Sequence, residues 1–157
     1  MAVEDMYQEI ILDHYRHRQF AGLREPYEAE VHHVNPSCGD EITLRLHLDG
    51  DTVADVSYQG QGCSISQAST SVMAGLVREK SVADTLALHE EFLGLMQSQG
   101  DVSDAELDRL EEDLEDGIAF AGVAKFPARV KCALLGWSAF KDALLRLQAE
   151  ATSRKAN

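Results

Sequence analysis

Residues 40–58 read DEITLRLHLDGDTVADVSY. Ile42, Leu44, Leu46 and Leu48 alternate strictly with Thr43, Arg45 and His47, the period of a strand with one buried face. Asp49-Gly50 is a tight-turn signal, and a return strand is expected from Val53 to Tyr58. A further strand is expected from Tyr27 to Val34, after the breaks at Gly22 and Pro26. These segments make a small three-stranded antiparallel sheet whose apolar face needs a cover.

Helical spacing on both sides of the sheet supplies it. Met6, Tyr7, Ile10, Ile11 and Tyr15 share one face of a helix expected over Val3 to His17. After QGQGC, Ser64 is placed to cap a helix that sets Ile65, Ala68, Val72, Met73 and Leu76 on one face. A helix is expected from Ala83 to Gln97. Ser103 with Glu106 reads as a capping box for the acidic segment that aligns Leu107, Leu110 and Leu114. The last helix is expected from about Lys131 to Ala149, burying Leu134, Trp137, Leu144 and Leu147, with a frayed tail from about residue 150. The fold class is α+β, one domain over residues 1–157, carrying an acidic helical insert at about 97–126.

Bulk properties narrow the function. The chain of 157 residues has a net charge of −13, which argues against nucleic acid, since phosphate contacts need Lys and Arg. No apolar run approaches the ~18 residues of a membrane span, and MAVEDMYQEI lacks the basic and apolar regions of a secretory signal. The cytoplasm is therefore the expected compartment. Thiols stay reduced there, and three cysteines would leave a disulfide framework unbalanced.

All three cysteines fall at element junctions. Cys38 lies in a Pro-Ser-Cys-Gly turn, Cys63 directly precedes the Ser64 helix, and Cys132 is expected in the first turn of the last helix. Helix N-termini favour thiolate over thiol, and Arg129 and Lys131 push the same way at Cys132. A free cysteine is commonly just a small buried hydrophobe, but none of the three lies on an apolar stripe. In extended backbone Cys38 and Asp40 point to the same side, giving half of a tetrahedral zinc site; Cys63 and Cys132 could supply the rest. Of the six histidines, His14, His17, His47 and His89 read as solvated or core-edge residues. One of His32 and His33 could approach Cys38.

NPSCGDEI, GQGCSISQASTSVM and KFPARVKCALLGW, in that order, resemble the three cysteine motifs of the IscU/NifU-N-like iron–sulfur assembly scaffolds. The resemblance runs from MYQEIILDHY to the last helix. Lys131 stands where ordinary scaffolds place a histidine; this, the acidic insert and Arg129 resemble the SufU type. HYRHRQFAG departs from the family's usual Asn-Pro pair, at no ligand position. The SufU resemblance implies zinc on Cys38, Asp40, Cys63 and Cys132. It also implies transfer of persulfide sulfur from a SufS-type cysteine desulfurase to downstream Suf cluster-assembly proteins, with Cys38 as acceptor. Arg129 and Lys131 would act beside the metal or against the partner, and the acidic segment could contact a basic patch on it. A [2Fe–2S] scaffold on the same ligands, or an adaptor with structural zinc, are the competing expectations.

Overall fold

The computed structural model describes residues 3–37 and 39–156. Its elements follow the order α1 (Val3–Arg16), β1 (Ala29–Asn35), β2 (Asp40–Asp49), β3 (Thr52–Gln61), α2 (Ser64–Val77), α3 (Val82–Gln97) and α4 (Asp104–Leu114). A 3-10 segment (Glu115–Lys125) and α5 (Pro127–Ala156) complete the chain. The strands form one antiparallel meander in the order β1-β2-β3. Gly50 and Asp51 make the two-residue loop between β2 and β3, and Gly50 takes the positive φ, +62°, that such a turn demands.

The alternation read from β2 is its burial pattern. Asp40, Ile42, Leu44 and Leu46 turn inward, while Glu41, Thr43, Arg45 and His47 face outward and are partly exposed. Cross-strand partners share that inner face: Ala29 with Leu46, Val31 with Leu44, Asn35 with Asp40. α2 and α5 lie in the core against this sheet. Trp137 of α5 stacks on Phe92 of α3 at 4.7 Å between ring centroids, and Phe92 meets Phe120 of the 3-10 segment edge to face at 5.9 Å. Such pairs add about 0.5–1.5 kcal/mol beyond their burial.

Two contacts bind α2 to α5 directly. Ser69 Oγ donates to the carbonyl of Ala133 at 2.6 Å. Gly136 faces Thr70 so closely that a Cβ there would collide with Thr70 Oγ1. This approach sets the start of α2 beside the start of α5, and with it Cys63 beside Cys132.

Several boundaries differ from expectation. Ser64 is the first residue of α2 and not its cap; Cys63 holds the cap position, its side chain accepting from no main-chain N–H of the helix. Ser103 does cap α4, accepting from the Glu106 N–H at 3.1 Å, but the Glu106 carboxylate turns to Arg109 instead of closing a capping box. α5 starts at Pro127 because proline suits the first helical position, where no N–H is needed. Cys132 therefore sits in the second turn, not the first. α5 continues to Ala156, past the point where fraying was expected. In the stretch 97–126 the solvated acidic face belongs to α4 and to Glu115 and Asp116 just after it; Ile118, Phe120 and Val123 of the 3-10 segment are core. Among the described residues no helix is long and apolar enough to cross a membrane.

Candidate metal centre

β2 opens with Asp40, whose carboxylate is fully buried at the end of the sheet. The chain returns along β3 and reaches the same end at Gln61, where Gly62 and Cys63 lead into α2. Asp40 Oδ1 accepts the Cys63 main-chain N–H at 2.8 Å, and Asp40 Oδ2 lies 3.6 Å from Cys63 Sγ. One carboxylate thus joins strand to helix at both main chain and thiol. Such proximity is possible because residue 62 is glycine. A Cβ there would collide with Asp40 Oδ1 and come within 2.7 Å of Ser66 Oγ.

Ser66 closes the other side. Its hydroxyl donates to the Cys63 carbonyl at 3.1 Å and stands 3.9 Å from Cys63 Sγ. Cys132 enters from α5, 5% exposed, with its Sγ 3.7 Å from the Ala128 carbonyl one turn back. Asp40, Cys63 and Cys132 each offer one ligand atom, and these atoms all lie within 4.8 Å of one another. Among the described residues no other group of three such donors converges. Cys38 lies outside the described residues. Its neighbour Gly39 adopts a φ of +72°, a left-handed conformation that glycine alone takes readily, and donates its N–H to the Asn35 carbonyl at 2.9 Å.

The donor set fits a zinc-like ion. With Zn–S near 2.3 Å and Zn–O near 2.0 Å, tetrahedral geometry separates a sulfur from an oxygen by about 3.5 Å. The observed Cys63 to Asp40 separation is 3.6 Å. Soft thiolates with one carboxylate, Asp40 and Cys132 buried and Cys63 open to solvent, are the chemistry such an ion selects.

The other candidates fall elsewhere. Arg129 lies exposed in the first turn of α5, its guanidinium 4.9 Å from the Phe126 ring centroid, and Lys131 is also exposed. Arg129 lines a cleft of about 560 Å³ together with Tyr7, Ile11, Ile65 and Phe126, between α1 and the start of α5. The histidines stay outside the donor group. His33 turns inward but pairs with Asp142 of α5 at 2.8 Å, whereas His32 faces outward and bonds Thr43 at 3.0 Å. His14 is buried between Ser71 and Asp116, 2.9 Å from each, and His47 pairs with Glu28. Sequence reading missed Gly62 and Ser66. The glycine directly before Cys63 was the available signal for a close approach.

The model of the NifU-like N-terminal domain matches residues 6–133. The zinc-dependent sulfurtransferase SufU of Bacillus subtilis strain 168 is 37% identical over 145 residues, covering 92% of this chain and 92% of that relative. The iron–sulfur cluster assembly scaffold protein IscU of Streptococcus pyogenes serotype M1 is 38% identical over 141 residues, covering 90% and 84%. Among solved structures, a putative SUF-system scaffold from Fervidobacterium islandicum AW-1 superposes with a TM-score of 0.77 at 36% identity, covering 91% of this chain and 99% of that one. A NifU-like N-terminal protein from Brucella abortus shares the fold, with a TM-score of 0.79 at 22% identity over 94% and 97% of the chains. With the family model matched over residues 6–133 and relatives 37–38% identical over nearly the whole chain, this chain belongs to the NifU-like N-terminal domain family of IscU and SufU proteins.

Proposed function

We propose that this chain is a zinc-dependent sulfurtransferase that carries persulfide sulfur from a SufS-type cysteine desulfurase into iron–sulfur cluster assembly. One observation supports the reading above others: a buried carboxylate and two thiols meet within 4.8 Å, in a chain 37% identical to a zinc-dependent sulfurtransferase. Asp40, Cys63 and Cys132 would hold the ion, with Cys38 as the fourth donor. When bound, zinc keeps the thiols of the site deprotonated and shields them from oxidation.

Cys38 is the sulfur acceptor in this reading. Its thiolate attacks the outer sulfur of the partner's persulfide. A new S–S bond forms on Cys38, the bond to the partner's cysteine breaks, and that cysteine leaves as a thiolate. Sulfur is passed on without net oxidation or reduction. Asp40 anchors the site through its bond to the Cys63 N–H. Arg129, with the cleft it lines, faces the partner, and the cytoplasm is the proposed compartment. Downstream Suf cluster-assembly proteins would take the sulfur on.

A second reading, a scaffold that assembles a [2Fe–2S] cluster on the same residues, is favoured by the 38% identity to the Streptococcus IscU. Desulfurase turnover with and without this protein separates the two. The sulfurtransferase reading expects wild-type protein to stimulate turnover and Cys38→Ala to abolish the effect, with sulfur found on Cys38 by mass spectrometry. Full stimulation by Cys38→Ala removes Cys38 from the acceptor role.

A further inference from the structure

β3 is an edge strand whose outer edge is covered over most of its length. The Val53 N–H donates to the Lys80 carbonyl, and the Val53 carbonyl accepts the Glu79 N–H. Further along, the Val56 carbonyl accepts from the Arg24 guanidinium at 3.1 Å and the Tyr58 carbonyl accepts the Gly22 N–H at 2.7 Å. Peptide groups of alternate residues face the same edge of a strand, so after Val56 and Tyr58 the next to face outward are those of Gly60. Among the described residues no main-chain group outside the sheet reaches them. Cys63 follows three residues on, about 10 Å along an extended chain.

This open edge is bare main chain. A Cβ at Gly60 would collide with the Glu41 carbonyl and one at Gly62 with Asp40, so neither position carries a side chain that could block an approach. A small cleft lies on each face beside it. The one on the helical face, about 280 Å³, is lined by Tyr15, Arg18 and Gln67; the one on the outer face, about 340 Å³, by His32, Thr43 and Gln59. An added strand needs such a pair, because its successive side chains point to opposite faces. The helical-face cleft also carries an unmatched charge. Arg18 is exposed, the oxygen of the buried Gln67 side chain accepts from its guanidinium at 2.9 Å, and among the described residues no carboxylate pairs with it. In a chain of net charge −13, a fixed cation without a partner selects an acidic one.

We propose that the Gly60 edge of β3 takes an extended acidic segment of the partner desulfurase as an added strand, with a carboxylate of that segment against Arg18. The proposal rests on the reading that sulfur comes from a desulfurase. Main-chain pairing at such an edge gives affinity, and the flanking clefts choose the side chains. Tyr15, 44% exposed, offers the incoming strand an apolar ring beside Arg18. Strand addition here would hold the partner next to Cys63 without using any metal donor. A second copy of this chain is the poorer occupant, because two chains of net charge −13 repel each other.

The test measures hydrogen exchange of the Gly60 amide in isotope-labelled full-length protein, alone and in complex with the SufS-type desulfurase. The Gly22 and Val53 amides, already bonded, serve as references. Gly60 is expected to exchange freely in the free protein and at least about tenfold more slowly in the complex, with the references little changed. Arg18→Glu is expected to raise the Kd for the desulfurase roughly tenfold or more, with zinc content retained, and Arg18→Lys to restore most of the affinity. A complex that leaves Gly60 unprotected, or that binds Arg18→Glu at the wild-type Kd, overturns the proposal and leaves sulfur transfer standing. Protection of Gly60 that grows with the concentration of this chain alone assigns the edge to a second copy and overturns it as well. A desulfurase that is neither bound nor stimulated overturns the functional reading and the proposal together.

Discussion

Gly62 shows how one missing side chain can hold a site together. The Asp40 carboxylate occupies the space that a Cβ at residue 62 would need, and from there it reaches both the N–H and the thiol of Cys63. Gly62→Ala is expected to push the carboxylate aside and weaken zinc binding roughly 10- to 100-fold, with the far-ultraviolet circular dichroism unchanged. Chelator competition on the purified variant measures this, and wild-type affinity would show that the close approach is dispensable. The thiols and the carboxylate were legible in the sequence because they carry the chemistry and recur at junctions. Gly62 and Ser66 were not, because each matters through a neighbour that only the sheet brings close. Asp40 and Cys63 stand 23 positions apart, and strand register decides that they meet.

Between elements, the packing of α5 on α2 governs where Cys132 stands. Gly136 is the contact point, pressed against the Thr70 side chain, and the Ser69 to Ala133 hydrogen bond lies three residues earlier on α5. Gly136→Ala is expected to wedge the helices apart, at about 1–3 kcal/mol of stability. Urea denaturation would read that cost, and metal affinity should fall with it because Cys132 rides on α5. Unchanged stability would mean that Thr70 can rotate away freely. The β-hairpin was legible because its period-2 pattern and glycine turn are local, although β3 runs on to Gln61, three residues past the expected end at Tyr58. α5 was not: Pro127 signals a break and a helix start equally well, and the polar tail after Leu147 has no apolar stripe to mark continued helix. The 3-10 segment was folded into an acidic insert because its charge at Glu115 and Asp116 masked the core residues that follow.

For the molecule as a whole, metal and protons should both report through stability. Zinc that binds the folded chain alone adds RT ln(1 + [Zn]/Kd), about 2.7 kcal/mol at a hundredfold excess over Kd. The melting temperature should accordingly rise with zinc in wild type and much less in Asp40→Ala. Acid acts through the buried His89 and the half-buried Asp55. Burial in the core beside Trp137 lowers the pKa of His89. The unfolded chain therefore takes up this proton first, and the His89 contribution, complete above about pH 6.5, is lost as pH falls through the folded value. His89→Leu should be more stable relative to wild type near pH 5 than near pH 8 in urea titrations; a pH-independent difference would refute the assignment. Asp55 acts at lower pH. The hydrogen bond from Arg24 holds its carboxyl below the ordinary value, with help from Arg78. Its contribution is present above about pH 4 and disappears as pH falls through the depressed value.

The convergence of Asp40, Cys63 and Cys132 is the centre of the metal-binding account, and metal analysis with an absorption spectrum of the freshly purified, untreated protein tests it most directly. One zinc per chain is expected, with no visible absorption band, and zinc should be lost when Asp40 or Cys63 is replaced by alanine. A coloured iron–sulfur chromophore would contradict the zinc-dependent sulfurtransferase, and full zinc content without Cys63 would contradict the site itself.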